Sequence, residues 1–506
     1  MSTSKTEGGS GEVGLVTKAR SAVIWNTGFN LFRDGIQFGV MLVLVRLLAP
    51  AAYGQFSLVT SIVGILSIFG FNNFIAHTLQ IQHDSDVDYQ LHFTMGGAMQ
   101  LAMFALTNIV ATALHWLPAY ASVAPAVHVM SITFLLEWPC ELRRKMIERS
   151  FDWRRLRILH AVGLVMNGII AIIMAWMGAG VYALLVPGLA VTLPFIYDLF
   201  IRERWAPTWS WSVEKYRKAF RFGVARMGSG LTTYGKQLLE SALFVSVLGF
   251  SSLGIMTRSV GLAQMFCLKF ASQLMYAIYP MLTRLDTETG GAARIGGMIL
   301  RLVAWTVFPV AICFGVLANP VVRTVYGGKW AAVVPLLPWA MGWGAAAALT
   351  QASYSLLLAR NQARRCLFAD ALFLIGTVLA LVVALPYGSR SYLAASTGAQ
   401  AIVLVVVLTW LIRLSALTGK GLFFAFAPAL VGCLLSGFVT FTAFELAQQS
   451  VAPFLAAVIW GLVFLTLYTL TIRVLFPRAL TDLVRYFPAR AVLGRALFLP
   501  DPGKWA

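Results

Sequence analysis

The sequence predicts an all-α polytopic membrane protein of about 14 transmembrane helices arranged as two related halves, and three observations carry that expectation. Of the 506 residues, 59% are hydrophobic and only 12% charged, with a mean hydropathy of +0.78, a balance foreign to soluble globules of this length. Apolar windows of about 20 residues, enough to cross a ~30 Å hydrocarbon core, recur along the chain. Residues 18–54 also align with residues 218–254 without a gap, with nine identities in 37 positions, among them Gly28/Gly228, Gly35/Gly235, Gln37/Gln237 and Gly54/Gly254. Duplicated halves in a membrane protein point to a transporter whose substrate site lies where the halves meet.

Taken in order, residues 1–20 are polar, Gly/Ser-rich and end in Lys18 and Arg20, with no separate apolar core or small-residue cleavage site. They read as a cytoplasmic tail before a first span that is retained as an anchor. Spans are expected near 21–45, 55–76, 92–113, 121–140, 158–178, 180–200, 222–248, 256–280, 298–319, 332–358, 367–386, 392–412, 422–446 and 453–472, with a tight turn through Gly178 and Gly180. An even count puts both termini on one side. Of the 39 Lys and Arg residues, 30 fall in segments on the side of the termini, four in the opposite loops and five inside spans. Short cytoplasmic loops retain cations, so both termini are expected in the cytoplasm, and the net charge of +19 follows from topology and anionic headgroups rather than from nucleic-acid binding.

Two inner segments, Glu141 to Arg157 and Trp205 to Arg221, interleave cations with apolar residues and read as interfacial stretches that anchor to headgroups. The run His83, Asp84, Asp86, Asp88 reads as a solvated turn, and no residue spacing calls for a metal or a cofactor. The five cysteines, Cys140, Cys267, Cys313, Cys366 and Cys433, are scattered singly and read as apolar filler.

The informative polar residues lie inside spans. Asn26, Asn30, Arg33 and Gln37 step by four, three and four, which places them on one helical face with Asp34 at its edge. The repeated span carries Arg226, Ser229, Thr233, Lys236, Gln237 and Glu240 in the same register, and the next adds Arg258 and Lys269 with Gln273 and Tyr276. Arg258 and Lys269 are eleven residues apart, so a continuous helix would nearly superimpose them. A charge at mid-membrane costs roughly 2.5–3.5 kcal/mol even on a lenient insertion scale, so these cations must meet water or carboxylates. One arrangement is a polar seam with pairs such as Arg33 with Glu240 or Lys236 with Asp34. The other is a hydrated cavity, favoured because Arg33, Arg226, Lys236, Arg258 and Lys269 outnumber the deep carboxylates Asp34, Glu137 and Glu240. Surplus positive charge suits an anionic substrate, phosphate or pyrophosphate above all. Asp34 and Glu240 are the candidates for linkage to a proton or sodium gradient.

The segment Arg46-Leu47-Leu48-Ala49-Pro50-Ala51-Ala52-Tyr53-Gly54 resembles the Arg-Leu-Leu-x-Pro-x-x-aromatic-Gly signature of the polysaccharide transporter family, the O-antigen, capsule and exopolysaccharide repeat-unit flippases of the multidrug/oligosaccharidyl-lipid/polysaccharide superfamily. Ala277-Ile278-Tyr279-Pro280 before Thr283-Arg284-Leu285, and Tyr326-Gly327-Gly328-Lys329-Trp330, are similar to further family motifs. Leu248 to Gly254 resembles the family's Leu-Gly-x-x-x-Leu-Gly-x-Tyr turn, with Met256 at the aromatic position. Adjacent Arg33 and Asp34 in the first span depart from the common pattern.

The resemblance implies two six-helix bundles in a V around a central cavity, plus two C-terminal helices. The implied divisions are the 1–20 tail, a 21–221 bundle with basic cytoplasmic loops, a 222–415 bundle, two additional helices in 416–475 and a cytoplasmic tail of 476–506. It also implies a substrate, an undecaprenyl-pyrophosphate-linked oligosaccharide moved by alternating access across a bacterial inner membrane, with glycan polymerase and export machinery as partners. Pro187, Pro194, Pro309, Pro335 and Pro338 are candidate bends for such rocking. A drug or cation antiporter of the same superfamily is the alternative, but its cavity should be negative or apolar. A membrane-embedded glycan polymerase or ligase would need a sizeable external region with paired carboxylates or a nucleophile; the outer loops are short and no such constellation, Gly-rich phosphate loop or metal spacing occurs, so no catalytic residue is assigned.

Overall fold

Apolar runs punctuated by Gly and Pro form helices throughout, and every regular element among the described residues is helical. The structure is a computed structural model that describes residues 28–30, 32–81, 87–269, 271–273, 275, 291–414, 419–447 and 452–477, leaving aside the side chains of Ala225, Arg226, Ser229, residues 291–295 and Lys420. Among these residues eleven helical stretches are long and apolar enough to cross a membrane, and a bent pair, Pro50–Ser67 with Asn72–Gln80 at 49°, makes twelve if counted as one span. The chain divides into two compact units, Met1–Gly254 and Ile255–Ala506.

In the first unit, α1 (Gly28–Leu47) leads into α2 (Pro50–Ser67) and its bent continuation α3 (Asn72–Gln80). Pro50 opens α2, where its fixed φ and missing N–H cost nothing. The hairpin of α4 (Tyr89–His115) and α5 (Ala124–Arg149) packs tightly. Asp88 caps α4 by accepting from the Leu91 amide at 2.9 Å, a structural role for the last acidic residue of a run otherwise outside the described residues. The helix α6 (Trp153–Trp176) is followed by α7 (Tyr182–Arg202), interrupted between Pro187 and Pro194 and finished by a π-helical turn at Asp198–Arg202. The expected tight turn is present, with Gly178 and Gly180 both at positive φ.

The long helical run Val213–Ala263 breaks at Gly249, whose φ of 80° and ψ of 172° no L-residue adopts readily. The break separates α8 (residues 213–248) from α9 (residues 250–273), with a second π-helical turn at Gln264–Leu268 inside α9. Here the sequence repeat has a physical counterpart. A Cβ on Gly54 would collide with the Phe250 carbonyl, and a Cβ on Gly254 with the Pro50 carbonyl. Residue pairs 50/250 and 54/254 are therefore reciprocal across one crossing of α2 and α9. Ser241 of α8 continues the contact, lying 3.1 Å from Ser61 and 3.4 Å from Ser57.

In the second unit, α10 (Gly291–Val316) packs against α12 (Leu337–Leu358) and α15 (Gly419–Leu446), and α13 (Ala363–Val383) against α14 (Ser389–Arg413), after the short α11 (Ala318–Val325). The last helix, α16 (Pro453–Leu475), lies on α15, where Gly432 meets Ile472 and Tyr468. Buried Trp305 donates to the Ala425 carbonyl at 3.1 Å, and Gln400 to Thr350 at 3.0 Å. The Tyr326 to Trp330 motif is a buried joint: Gly327 takes a φ of 86°, Trp330 is enclosed, and the Tyr326 hydroxyl donates to the Arg258 carbonyl at 3.0 Å. Four of the five cysteines are buried and the fifth is half-buried, as apolar filler should be.

Candidate functional site

The stripe residues of α1 stand on a helix, as their spacing requires. Asn30 is half-buried and Gln37 exposed, while Asn26 lies outside the described residues. Arg33 pairs with its neighbour Asp34, Nε to Oδ1 at 3.1 Å, rather than with Glu240. Both groups are only partly covered, at 35% and 27% exposure. An adjacent pair costs little to form because no second helix must be positioned to make it.

On α8, Thr233 is exposed and Lys236, Gln237 and Glu240 are half-buried. Lys236 stands one turn before Glu240 and interacts with it electrostatically. The backbone of Arg226 is helical, and its side chain lies outside the described residues. On α9, Arg258 and Lys269 are half-buried and Gln273 is exposed, while Tyr276 and the Ala277 to Leu285 motifs lie outside the described residues. The π-helical turn at Gln264–Leu268 adds a residue between Arg258 and Lys269. It rotates Lys269 by roughly a quarter turn, so the two do not superimpose as on a continuous helix.

The charged segment between Glu141 and Arg157 forms the end of α5 and the start of α6, and five of its cations meet carboxylates or backbone carbonyls. Asp198 on α7, 1% exposed, accepts from Arg143 Nε at 2.6 Å and from Arg155 at 2.8 Å. Glu203 accepts from Arg143 at 2.9 Å, and hydrogen bonding from Arg155 holds its carboxyl below the usual carboxylate range. Arg144 pairs with Glu141, Lys145 with Glu148 at 2.6 Å, and Arg149 binds the backbone carbonyls of Thr78 and of Ile81, the latter at 2.7 Å. Such a network holds helix ends together. The segment from Trp205 divides similarly: Trp205 packs edge-on against Phe93, centroids 5.1 Å apart, whereas Trp209 and Trp211 are exposed.

Sequence reasoning passed over a polar group in the second unit. Ser272 of α9 donates to Gln351 of α12 at 3.2 Å, and Tyr354, three residues further along α12, donates to Asp370 of α13 at 2.9 Å. Asp370 lies two turns inside a helix that begins at Ala363, a position that was a visible signal of a carboxylate in an apolar span. The expected span started at 367, which hid that depth. Among the described residues, no group of three His, Cys, Asp or Glu side chains has the arrangement of a metal site.

These features sit on a chain whose residues 43–335, more than half its length, match the family model described as polysaccharide biosynthesis protein. The chain belongs to this family. The match begins at the end of α1 and spans the reciprocal glycine crossing and the buried Tyr326 joint. The chain is 23% identical over 307 residues to the succinoglycan biosynthesis transport protein ExoT of Rhizobium meliloti (strain 1021), which covers 60% of this chain and 61% of that protein. It is 21% identical to the lipopolysaccharide biosynthesis protein WzxC of Escherichia coli (strain K12), over 64% of this chain and 66% of that one. The matches thus span a little under two thirds of either relative. The fold is similar to that of the lipid II flippase MurJ in an inward closed conformation, with a TM-score of 0.68 at 10% identity, covering 90% of this chain and all of that one. The fold of this family member is therefore that of a multi-pass helical membrane protein.

Proposed function

We propose that this chain is a flippase that moves a polyprenyl-pyrophosphate-linked oligosaccharide, the repeat unit of an exopolysaccharide, capsule or O-antigen, across a bacterial inner membrane. The observation that carries the reading is the pair of matched cationic helical faces, Arg33 on α1 and Lys236 on α8, in a member of a polysaccharide biosynthesis family. The names of ExoT, WzxC and MurJ support the same substrate class. A pyrophosphate cannot cross hydrocarbon unaided, so transport requires cations that replace its water while the polyprenyl tail stays in lipid. No covalent chemistry is needed.

In this reading the fold has 14 spans, reached when the 44-residue stretch Gly230–Gln273 counts as two across Gly249, the bent pair as one and Leu337–Leu358 as one. Two six-helix bundles enclose a cavity to which Arg33, Arg226, Lys236, Arg258 and Lys269 contribute charge, and Asn30, Gln37, Thr233, Gln237 and Gln273 polarity. Both termini are cytoplasmic, supported by the partition of Lys and Arg. Asp34 and Glu240 remain candidates for coupling to a proton or sodium gradient, and Asp370 joins them. The charge balance disfavours the antiporter, because cationic drugs are repelled by a positive cavity.

Deleting the gene and extracting lipid-linked glycans tests the proposal. A completed polyprenyl-pyrophosphate oligosaccharide should accumulate on the inner leaflet and disappear on complementation. Unchanged glycan intermediates together with new drug sensitivity would instead establish the antiporter.

A further inference from the structure

The segment that joins α7 to α8 is a strap fastened to α4. Gln90, in the first turn of α4, donates through Nε2 to the Ala206 carbonyl at 3.0 Å and accepts from the Thr208 amide at 2.7 Å, and Thr94 one turn later accepts from the Ser210 amide at 3.1 Å. Trp205 closes on Phe93 beside these bonds. Tyr216, in the first turn of α8, brings its ring 5.3 Å from that of His92. The strap and the start of α8 are thus level with the first turns of α4, where the apolar span Tyr89–His115 begins.

Although its backbone is fixed, the strap leaves two indoles outside: Trp209 is 83% exposed and Trp211 63%. The start of α8 continues that surface. Val213, Phe220 and Val224 are exposed at steps of seven and four, which places them in one stripe along the helix. On one side of the stripe lie Tyr216 and Gly223, buried against Leu91 of α4 and Phe74 of α3. On the other side lie Arg217 and Arg221, both exposed. Round its circumference the helix therefore passes from packed to apolar to cationic. An interfacial helix has this order at a bilayer, with aromatic and aliphatic groups at the acyl boundary and guanidinium groups among the headgroups. A sugar-binding surface would need polar groups beside each indole, aimed at ring hydroxyls, and Val213, Phe220 and Val224 offer none.

We infer that the strap and the first three turns of α8 form a foot that seats in the headgroup layer of the bilayer and binds anionic phospholipid there. Trp209 and Trp211 supply amphipathic rings suited to that layer, and Arg217 and Arg221 supply charge for the phosphates. Within the segment from Trp205 to Arg221, Trp205 thus belongs to the protein core, and Trp209 and Trp211 to the lipid. The strap lies between the two sequence repeats, residues 18–54 and 218–254, so seating it holds the start of the second repeat at the membrane surface. The foot does not depend on the proposed flippase activity; only the name of the leaflet depends on the proposed orientation.

The test uses the full-length protein reconstituted in liposomes of phosphatidylcholine and phosphatidylglycerol. A fluorophore is attached at Trp211→Cys, Phe220→Cys or, on the opposite side of α8 from the stripe, Lys215→Cys. Wild type, whose five cysteines are buried or half-buried, gives the labelling background. Labels at 211 and 220 should be quenched by nitroxide-bearing lipid and shielded from aqueous iodide, and the label at 215 should show the reverse. Equal quenching by iodide at all three positions overturns the foot. Shielding that appears only when a polyprenyl-linked glycan is added also overturns it, and assigns the strap to sugar. Nitroxide-bearing phosphatidylglycerol should quench the label at 211 more strongly than the phosphatidylcholine equivalent, a preference reduced about fivefold by Arg217→Gln with Arg221→Gln. An unchanged preference contradicts the anionic-lipid site. Should a variant fail to fold, a headgroup-photoreactive phosphatidylglycerol is cross-linked to the wild type. Adducts within residues 209–221 support the foot, and adducts elsewhere alone contradict it.

Discussion

Where α5, α6 and α7 come together, Arg143 and Arg155 are held by Asp198 and Glu203, 43 to 60 residues away along the chain. Along α1 and α8, Arg33 and Lys236 each have a carboxylate close by on the same helix, Asp34 next to Arg33 and Glu240 one turn after Lys236. A long-range pair fixes one helix against another and is lost only with tertiary structure. A local pair joins residues of one helix only, and in the proposed function it is exchanged for a substrate oxygen. The difference separates charge that joins helices from charge that we propose to meet an anionic substrate.

The largest effect should come from the first region. Asp198→Asn removes the buried carboxylate that two arginines share and leaves them only the more exposed Glu203, and should destabilise the folded protein by about 3 kcal/mol, read as a lower thermal-unfolding midpoint in detergent. Arg33→Gln measured alongside should leave the midpoint nearly unchanged. Equal losses would abolish the distinction between the two regions.

A smaller effect should come from the reciprocal crossing. Gly54→Val and Gly254→Val each push a side chain into a backbone carbonyl and should cost about 1–3 kcal/mol, by similar amounts because the contacts are equivalent. Gly235→Ala, where a Cβ meets nothing within 4 Å, is the control and should be nearly neutral. Unequal losses at the two glycines would argue against equivalence of the halves at this crossing.

The two regions also differ in how far the sequence announced them. Helix 50–67, the break at Gly249 and the buried Tyr326 joint follow from local signals: Pro at a helix start, Gly at positive φ, and a motif dense in aromatic and Gly residues. The cationic faces follow from periodicity alone. The partners of Arg143 and Arg155 do not, because Asp198 gives no local sign of which helix it will meet. Read without them, the segment from Glu141 to Arg157 shows only cations interleaved with apolar residues. The π-helical turn before Lys269 was equally hidden, since the sequence Gln264 to Leu268 contains no Gly or Pro to mark a change of helical pitch. Asp370 was legible, but a boundary placed four residues late put it at the rim of its helix.

The smallest effect belongs to the exposed side of the ion network. Glu203 is 41% exposed and its carboxyl is held below its ordinary value of 4.5, mainly by hydrogen bonding from Arg155. A lowered carboxylate contributes stability that is present above the ordinary value and lost as pH falls through the folded one. The contribution should be about 1 kcal/mol or less, given its exposure. Unfolding midpoints of wild type and Glu203→Gln should therefore differ slightly at pH 7 and converge below pH 4.5.

The central claim is that cations on α1, α8 and α9 bind the substrate's pyrophosphate, and it is tested most directly at Arg33. Export is followed as accumulation of lipid-linked glycan on the inner leaflet, beside thermal stability, for Arg33→Gln, Asp34→Asn and the double substitution in the deletion strain. The account predicts a folded Arg33→Gln protein with export reduced about tenfold or more, and no recovery in the double variant. Export restored when Asp34 is neutralised as well would show that Arg33 serves only its neighbouring carboxylate, and would contradict a role in holding the pyrophosphate.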